Sequence, residues 1–397
     1  MSFLQRSLGA GTDTQNAASI ELNRRGLSVL FVVDSNFPGF GGAEAQARKL
    51  ARALEERGVY VEFVSPRVLS NQAERDTVDG FSVRRIRYPH IKLFGSVVLL
   101  FRFAHYLIRN RHRFDCMHIH VTRLLAATAT VIKPLTGIPV VTKVSGFFEF
   151  EGGVLDQNKR FSPVNMVTRR VLRNVDYVQT ISVETRDKLL QAGFTDGQIC
   201  FIPNGIDTRH ETVLRDGSGP LRIGYCGRLR KVKGVDVLIA GFAHAVKSLP
   251  DVEMELVIAG DGETRDELEA QAKQLGVFES IQFLGRINNT TSFYDELDVY
   301  VQPSFAEGLP NSVMEAMLAA RIVLASDIGG NHDLIVEGEA GRLFPAGDDN
   351  ALGELIVYAA NHRHQLAEYG QRGKHVITER YGFDKVAEQL VDIYREK

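Results

Sequence analysis

The sequence predicts an α/β protein made of two doubly wound parallel-sheet domains facing across a cleft, and three observations carry that expectation. Short β-rich apolar runs alternate with amphipathic stretches along the chain, the pattern of parallel strands covered by helices on both faces. At 397 residues the chain exceeds the length at which a single hydrophobic core keeps growing. The alternation halts in a turn-rich stretch, residues 206–220, ending in Asp216-Gly217-Ser218-Gly219-Pro220, and restarts at Leu221.

In chain order, residues 1–26 read as a flexible polar tail without the apolar stretch of a secretory signal. The first domain, 27–205, opens with a strand at Ser28–Val33 and a helix at Ala43–Arg57 that places Ala47, Leu50, Ala51 and Leu54 on one face. Further strands are predicted at Val59–Ser65, Cys116–Val121, Val140–Val144, Tyr177–Ile181 and Ile199–Pro203. After the 206–220 linker, the second domain, 221–376, has strands at Leu221–Cys226, Met254–Ala259, Ile281–Leu284, Val299–Gln302 and Ile322–Ala325. Residues 377–397 form a C-terminal helix placed to cross back to the first domain. Ligands of such sheets bind beyond the carboxyl ends of the strands, so the loops there are the places to look for chemistry.

Composition narrows the function classes. Three separated cysteines, Cys116, Cys200 and Cys226, provide neither a disulfide framework nor a zinc-ligand spacing and point to a reducing compartment. No apolar run of about 18 residues is present, which argues against a spanning helix. The net charge of −2 conceals an asymmetry: residues 1–205 hold 27 Lys and Arg against 18 Asp and Glu, residues 206–397 hold 20 against 31. The excess concentrates in residues 84–113, where eight Lys and Arg occur without an acid among Leu93, Phe94, Val97, Phe101 and other apolar residues. Two readings stand: peripheral contact with an anionic membrane, or an amphipathic core helix with a solvated basic face. Nucleic acid is not an expected partner.

Three loops carry candidate chemistry. Pro38-Gly39-Phe40-Gly41-Gly42-Ala43-Glu44 follows the first strand and opens a helix, where glycines admit close backbone approach and free N–H groups favour an anion. It lacks the full dinucleotide fingerprint and a Walker lysine, and a glycine turn of purely structural use is the alternative. Gly227-Arg228-Leu229-Arg230-Lys231-Val232-Lys233-Gly234 follows the first strand of the second domain, placing a fork-shaped and a point cation where they can hold a diphosphate; a solvated basic loop is the alternative. The third runs from Phe305 to Met317 through Glu307, Gly308, Leu309, Pro310, Asn311, Ser312 and Glu315, with Pro310 at the first helical position and the N–H groups of Leu309, Asn311 and Ser312 as an anion site. Simple dipole pairing for Glu307 and a solvent-facing role for Glu315 are the bland accounts.

Together these loops resemble glycosyltransferase family 4, from about Ser28 to about Tyr381. The likeness rests on Gly41-Gly42-Ala43-Glu44, Asp115-Cys116-Met117-His118-Ile119-His120, Ile202-Pro203-Asn204-Gly205-Ile206-Asp207, the Gly-Arg-Leu…Lys-Gly loop and the pair Glu307/Glu315 spaced by seven residues. The resemblance implies the GT-B fold of two Rossmann-like domains and retaining transfer of a hexosyl group from a nucleotide-diphosphate sugar to a glycan or lipid-linked acceptor. Polysaccharide or lipopolysaccharide synthesis is the expected setting, in the cytoplasm or peripherally on the inner membrane face. It implies donor-diphosphate contacts for Arg228 and Lys233, ribose contact for Glu315, donor-sugar contact for Glu307, and backbone donors at Gly41 and Gly42. Arg228, Lys233 and Glu307 are then the catalytic candidates, with Gly308, Leu309, Pro310, Asn311 and Ser312 completing donor binding. Acceptor-side candidates are His120, Ser145 and Asn204. Where many members carry a histidine before a glycine, this chain has Ser145-Gly146, which cannot supply a cation near neutral pH.

His118 and His120 share a strand face; His118 reads as a core histidine, and the pair lacks a third ligand for a metal. No Asp-x-Asp pair occurs, so metal-independent catalysis without a cofactor is expected. A sugar phosphorylase, a nucleotide-sugar epimerase and a non-catalytic nucleotide-sugar-binding protein remain the alternatives.

Overall fold

The computed structural model describes residues 26–396 except 40, 41, 145, 147, 148, 151, 157–161, 210, 214, 216–218 and 337–339, so Gly41 and Ser145 lie outside the described residues. The chain forms two compact units, Met1–Lys143 with Asn158–Val178 and Ala387–Lys397, and Val144–Gln157 with Gln179–Val386.

The first sheet holds β1 (Ser28–Val32), β2 (Tyr60–Pro66), β3 (Arg75–Val78), β4 (Phe81–Ile86), β5 (Cys116–Ile119), β6 (Val140–Lys143), β7 (Tyr177–Thr180) and β8 (Ile199–Phe201), in the order β3-β4-β2-β1-β5-β6-β7-β8. Its central strand β1 is parallel to β2 and β5 and wholly buried from Val29 to Val32, as a strand covered on both faces requires. Helices α1 (Gly42–Glu55), α2 (Phe94–Arg109), α3 (Leu124–Thr136), α4 (Pro163–Leu172) and α5 (Val183–Gln191) connect the strands. Helix α1 buries Ala47, Leu50, Ala51 and Leu54, the predicted stripe.

The second sheet holds β9 (Leu221–Cys226), β10 (Met254–Ala259), β11 (Ile281–Gly285), β12 (Val299–Gln302), β13 (Ile322–Ser326) and β14 (Gly341–Phe344), all parallel, in the order β11-β10-β9-β12-β13-β14. With it run α6 (Val235–Ser248), α7 (Arg265–Gln274), α8 (Thr290–Asp295), α9 (Asn311–Leu318), α10 (Gly329–His332), α11 (Asp349–Asn361) and α12 (Arg363–Tyr381). Successive side chains of β10 serve opposite faces. Leu256 and Ile258 pack with Leu238, Phe242, Leu268 and Ile356, while Val257 and Ala259 pack with Tyr294, Val313, Met317 and Ile377.

Three expectations need correction. The C-terminal helix is not continuous over 377–397: α12 stops at Tyr381 and α13 (Phe383–Arg395) follows, because extended backbone at Gly382 lets Ile206 donate to Tyr381 O (2.8 Å) and accept from Phe383 N–H (3.0 Å). The strands β3, β4 and β14 went unpredicted. The β3–β4 hairpin turns at Asp79-Gly80, both with positive φ (52° and 88°), a two-residue turn whose Asp-Gly signal is legible in the sequence.

The basic segment 84–113 is likewise not one amphipathic element. Arg84 and Arg85 belong to β4, and acids from elsewhere in the chain neutralise them and Arg113: Glu74 pairs with Arg84, Asp76 with Arg85 and Glu62 with Arg113. Arg85 is buried, donating to Phe37 O (3.0 Å), Ala73 O (3.0 Å) and the Asp76 carboxylate (2.8 Å). Replacing it by Met keeps apolar volume but strands two carbonyls; we expect Arg85→Met to lower unfolding free energy by about 2–4 kcal/mol in a urea titration.

Candidate active site

In the second unit the chain steps outward from β9 to β10 and β11, then restarts on the other side of β9 with β12. The carboxyl ends of β9 and β12 therefore flank the point where the strand order reverses, the place where open α/β sheets leave a crevice.

The loop after β9 is anchored by Leu229, whose side chain is fully buried and whose N–H donates to Asp261 O (3.1 Å). It ends at Gly234, left-handed at φ 63°, where a Cβ would stand 2.1 Å from Pro303 O. The loops of the two adjacent strands thus touch backbone to backbone there, and only glycine fits. Phe305 N–H donates to Val232 O (2.9 Å) and closes the same seam.

Across that seam Lys233 Nζ lies 2.6 Å from Glu307 Oε1. The same oxygen accepts from Gln302 Nε2 (2.7 Å) and Ser304 Oγ (2.7 Å). Gln302, buried at the end of β12, accepts on its own oxygen from Tyr300 Oη (2.7 Å) and Ser312 Oγ (3.2 Å). One amide side chain therefore ties strand, loop and helix start together. Arg228 is exposed and makes no hydrogen bond or ion pair through its side chain among the described residues. The backbone of Glu307 and Gly308 rests on Gly330, where a Cβ would stand 2.8 and 2.7 Å from their carbonyl oxygens.

Helix α9 begins one residue later than predicted. Pro310 occupies the N-cap, with β-region backbone (φ −75°, ψ 111°), and Val313 N–H donates to its carbonyl (3.2 Å). Gly308, Leu309 and Pro310 are buried, while Asn311 and Ser312 are partly exposed. Glu315, half-buried in the second turn, brings its charge to Cys226 at the end of β9: burial and then Glu315 push that thiol up to about 11. Burial likewise raises Tyr225, Tyr294 and Tyr300 well above the usual phenol range. The floor beneath the charged groups is therefore uncharged at neutral pH.

Asn204, an acceptor-side candidate, donates to Asn311 Oδ1 (3.0 Å) and so stands at the start of α9. In the first unit the strand order reverses between β1 and β5; Gly42 opens α1, the helix after β1, and His120 directly follows β5. His120 is almost fully buried, its ring 4.4 Å from Phe31 and 4.5 Å from His118; burial and then His118 drive its imidazole well below 6.5, so it is neutral at pH 7. His118 is fully buried and bonds Tyr394 Oη through Nδ1.

Sequence reasoning missed Gln302, Ser304, Gly330 and Asp34. A glutamine closing the apolar run Val299-Tyr300-Val301 was the available signal for the first. Asp34, at the end of the first strand, has its carboxyl raised by burial, which outweighs the opposing charge of Arg123.

Comparison with known proteins shows the family and the fold. Residues 41–205 match the "Glycosyl transferase 4-like domain" and residues 220–362 the "Glycosyl transferases group 1" family. The chain is 26% identical over 380 residues to the phosphatidyl-myo-inositol mannosyltransferase of Mycolicibacterium smegmatis, covering 89% of this chain and 90% of that protein. Among solved structures, Anabaena HepE in complex with UDP and glucose superposes with a TM-score of 0.74 at 19% identity, over 94% of this chain and all of that one. The lipopolysaccharide outer core galactosyltransferase WaaB superposes at 0.73 and 17%, over 94% of this chain and 100% of that chain. The chain belongs to glycosyltransferase family 4. Its fold is GT-B, and Arg228, Lys233, Glu307 and Glu315 follow the two strands that flank the reversal point of its second sheet.

Two measurements probe Gln302 of the candidate site and Asp34 of the first unit. Gln302→Ala removes partners from Tyr300 and Glu307 and is expected to cost about 1–3 kcal/mol of stability by denaturant titration. For Asp34 the sign follows from linkage: with its folded pKa above the ordinary 3.8, the native state binds the extra proton and loses stability as pH rises through the raised value. Asp34→Asn should therefore melt higher than the parent at pH 7, the difference vanishing toward pH 3.8.

Proposed function

We propose that this enzyme transfers a hexosyl group, with retention of configuration, from a nucleotide-diphosphate sugar to a hydroxyl of a glycan or lipid-linked acceptor, without a metal ion or cofactor. The observation that carries the reading is a lysine held 2.6 Å from Glu307, with Arg228 on the same loop lacking a side-chain partner among the described residues, at the reversal point of the second sheet. Two cations on this loop suit a diphosphate, which would otherwise need a metal ion to neutralise it.

In this reading Arg228 and Lys233 stabilise the negative charge that grows on the departing diphosphate, assisted by the N–H groups at the start of α9. The ribose hydroxyls donate to Glu315. Glu307, with Oε1 committed to Lys233, Gln302 and Ser304, presents Oε2 to hydroxyls of the donor sugar. Gly41 and Gly42 supply backbone donors to the diphosphate. The acceptor hydroxyl attacks on the face the diphosphate leaves, and the departing phosphate takes its proton. His120, neutral in its buried setting, serves as a hydrogen-bonding group, with Ser145 and Asn204 completing the acceptor side. Relatives named for lipid and glycan acceptors, such as the mycobacterial mannosyltransferase, favour a cell-surface lipid or polysaccharide as product.

A thermal-shift screen of nucleoside diphosphates and their sugars identifies the donor, since a ligand of the native state raises the melting temperature. With that donor, Arg228→Ala is expected to lower kcat at least about 10²-fold, and chelation by EDTA to leave the rate unchanged. Near-normal turnover of Arg228→Ala would remove the assignment. Release of sugar phosphate on adding inorganic phosphate would point to a phosphorylase.

A further inference from the structure

Behind the loop that carries Arg228 and Lys233, the second unit has a separate pocket of about 340 Å³. Six residues give it its chemistry: Arg230 and Lys231 on the loop after β9, Asp236 in the first turn of α6, Thr264 and Glu267 at the start of α7, and Phe305 on the loop after β12. It is distinct from the crevice described above. The pocket lies where α6 and α7 begin, and those helices pack on Leu256 and Ile258 of β10, whereas α9, which carries Glu315, packs on the opposite face with Val257 and Ala259. None of Arg228, Lys233, Glu307 and Glu315 borders it.

Local hydrogen bonds bring these groups together. Val232 O accepts from Phe305 N–H (2.9 Å), which sets the aromatic side chain alongside the two cations. Leu229 O accepts from Thr264 N–H (3.3 Å), which ties the start of α7 to the same loop. The ring tip of Phe305 stands between Gly234 and Gly347, where a Cβ would lie 3.5 and 3.1 Å from its carbons, and the residue is 45% exposed. An aromatic surface is thereby held in place and left open.

The charges select the ligand. Two cations and two acids border one pocket, a formal sum of zero, and none of these four side chains has a partner among the described residues. Thr264 is 6% exposed, occupies the N-cap of α7 and makes no capping hydrogen bond through its hydroxyl. A buried hydroxyl left unpartnered costs stability, so the position suits an incoming hydrogen-bonding group. Charge balance disfavours a phosphate or a polycation. Unpaired donors and acceptors around an aromatic face suit a ligand rich in hydroxyls, each able to donate to an acid and accept from a cation. A sugar ring has that chemistry, and its C–H face can rest on the negative face of the aromatic ring. The volume falls within the range of small-molecule pockets.

We infer that this pocket binds a neutral sugar unit outside the donor crevice. A second hold on a chain of sugars raises its effective concentration at the enzyme. That benefit rests on the glycan acceptor proposed above; the binding itself does not.

The test is saturation-transfer NMR of the full chain with glucose, galactose, mannose and N-acetylglucosamine, with alanine as a zwitterionic control. At least one sugar is expected to show transfer from the parent. Glu267→Gln and Arg230→Gln should each raise its dissociation constant about tenfold, and Phe305→Leu about fivefold. The first two are surface changes that should leave the melting-temperature shift by nucleoside diphosphate intact. No transfer to any of the four sugars overturns the inference. So does parent-like binding by all three variants, which places the sugar elsewhere. Transfer to alanine alone assigns the pocket to a zwitterion and overturns it too. Transfer needs no donor, so absence of any nucleoside-diphosphate shift in the parent sinks the donor reading and leaves the sugar site standing on its own.

Discussion

A single carboxylate oxygen organises the site. Glu307 Oε1 takes three donors at 2.6–2.7 Å, one from each of Lys233, Gln302 and Ser304. Hydrogen bonds to a charged group contribute roughly 1.5–3 kcal/mol each when well formed. Their placement matters more than their sum. They join the loop after β9 to the loop after β12, and through Gln302 they reach the first turn of α9. Remove that acceptor and the lysine, the glycine seam and the helix start lose their common reference point.

The arrangement also keeps the field in the crevice simple. Beneath the charged groups lie Tyr225, Tyr300, Tyr294 and the Cys226 thiol, all held neutral by burial. Among the described residues the side chain of Arg228 has no partner, and the ion pair of Lys233 is with Glu307. A low-dielectric floor strengthens any attraction between these cations and an incoming phosphate. Pre-positioned charge of this kind requires no reorganisation when a ligand arrives.

The first unit uses charge differently. His118 and His120 are withdrawn into the core, stacked on each other and in edge-on and tilted contact with Phe31, while Arg85 braces the hairpin edge from inside. Outside, α2, α3 and α4 contain no Asp or Glu and expose aliphatic and aromatic groups. The same residue type therefore serves as an internal brace at position 85 and as surface charge at positions 102, 109 and 170.

The sequence alone determined the elements whose signals are local. Buried parallel strands announce themselves as short apolar runs, so β1, β9, β10 and β12 are legible within a residue or two, and the three candidate loops follow β1, β9 and β12 as expected. Tertiary structure decided whatever depends on partners distant in the chain. Asp76 and Glu62 turned apparent surface cations into internal ones, Ile206 broke the last helix at Gly382, and the buried amide of Gln302 took command of Glu307. Periodicity reports which way a side chain points relative to its own element; the charge or hydrogen-bond partner it meets there is set by packing, which no local window of sequence contains.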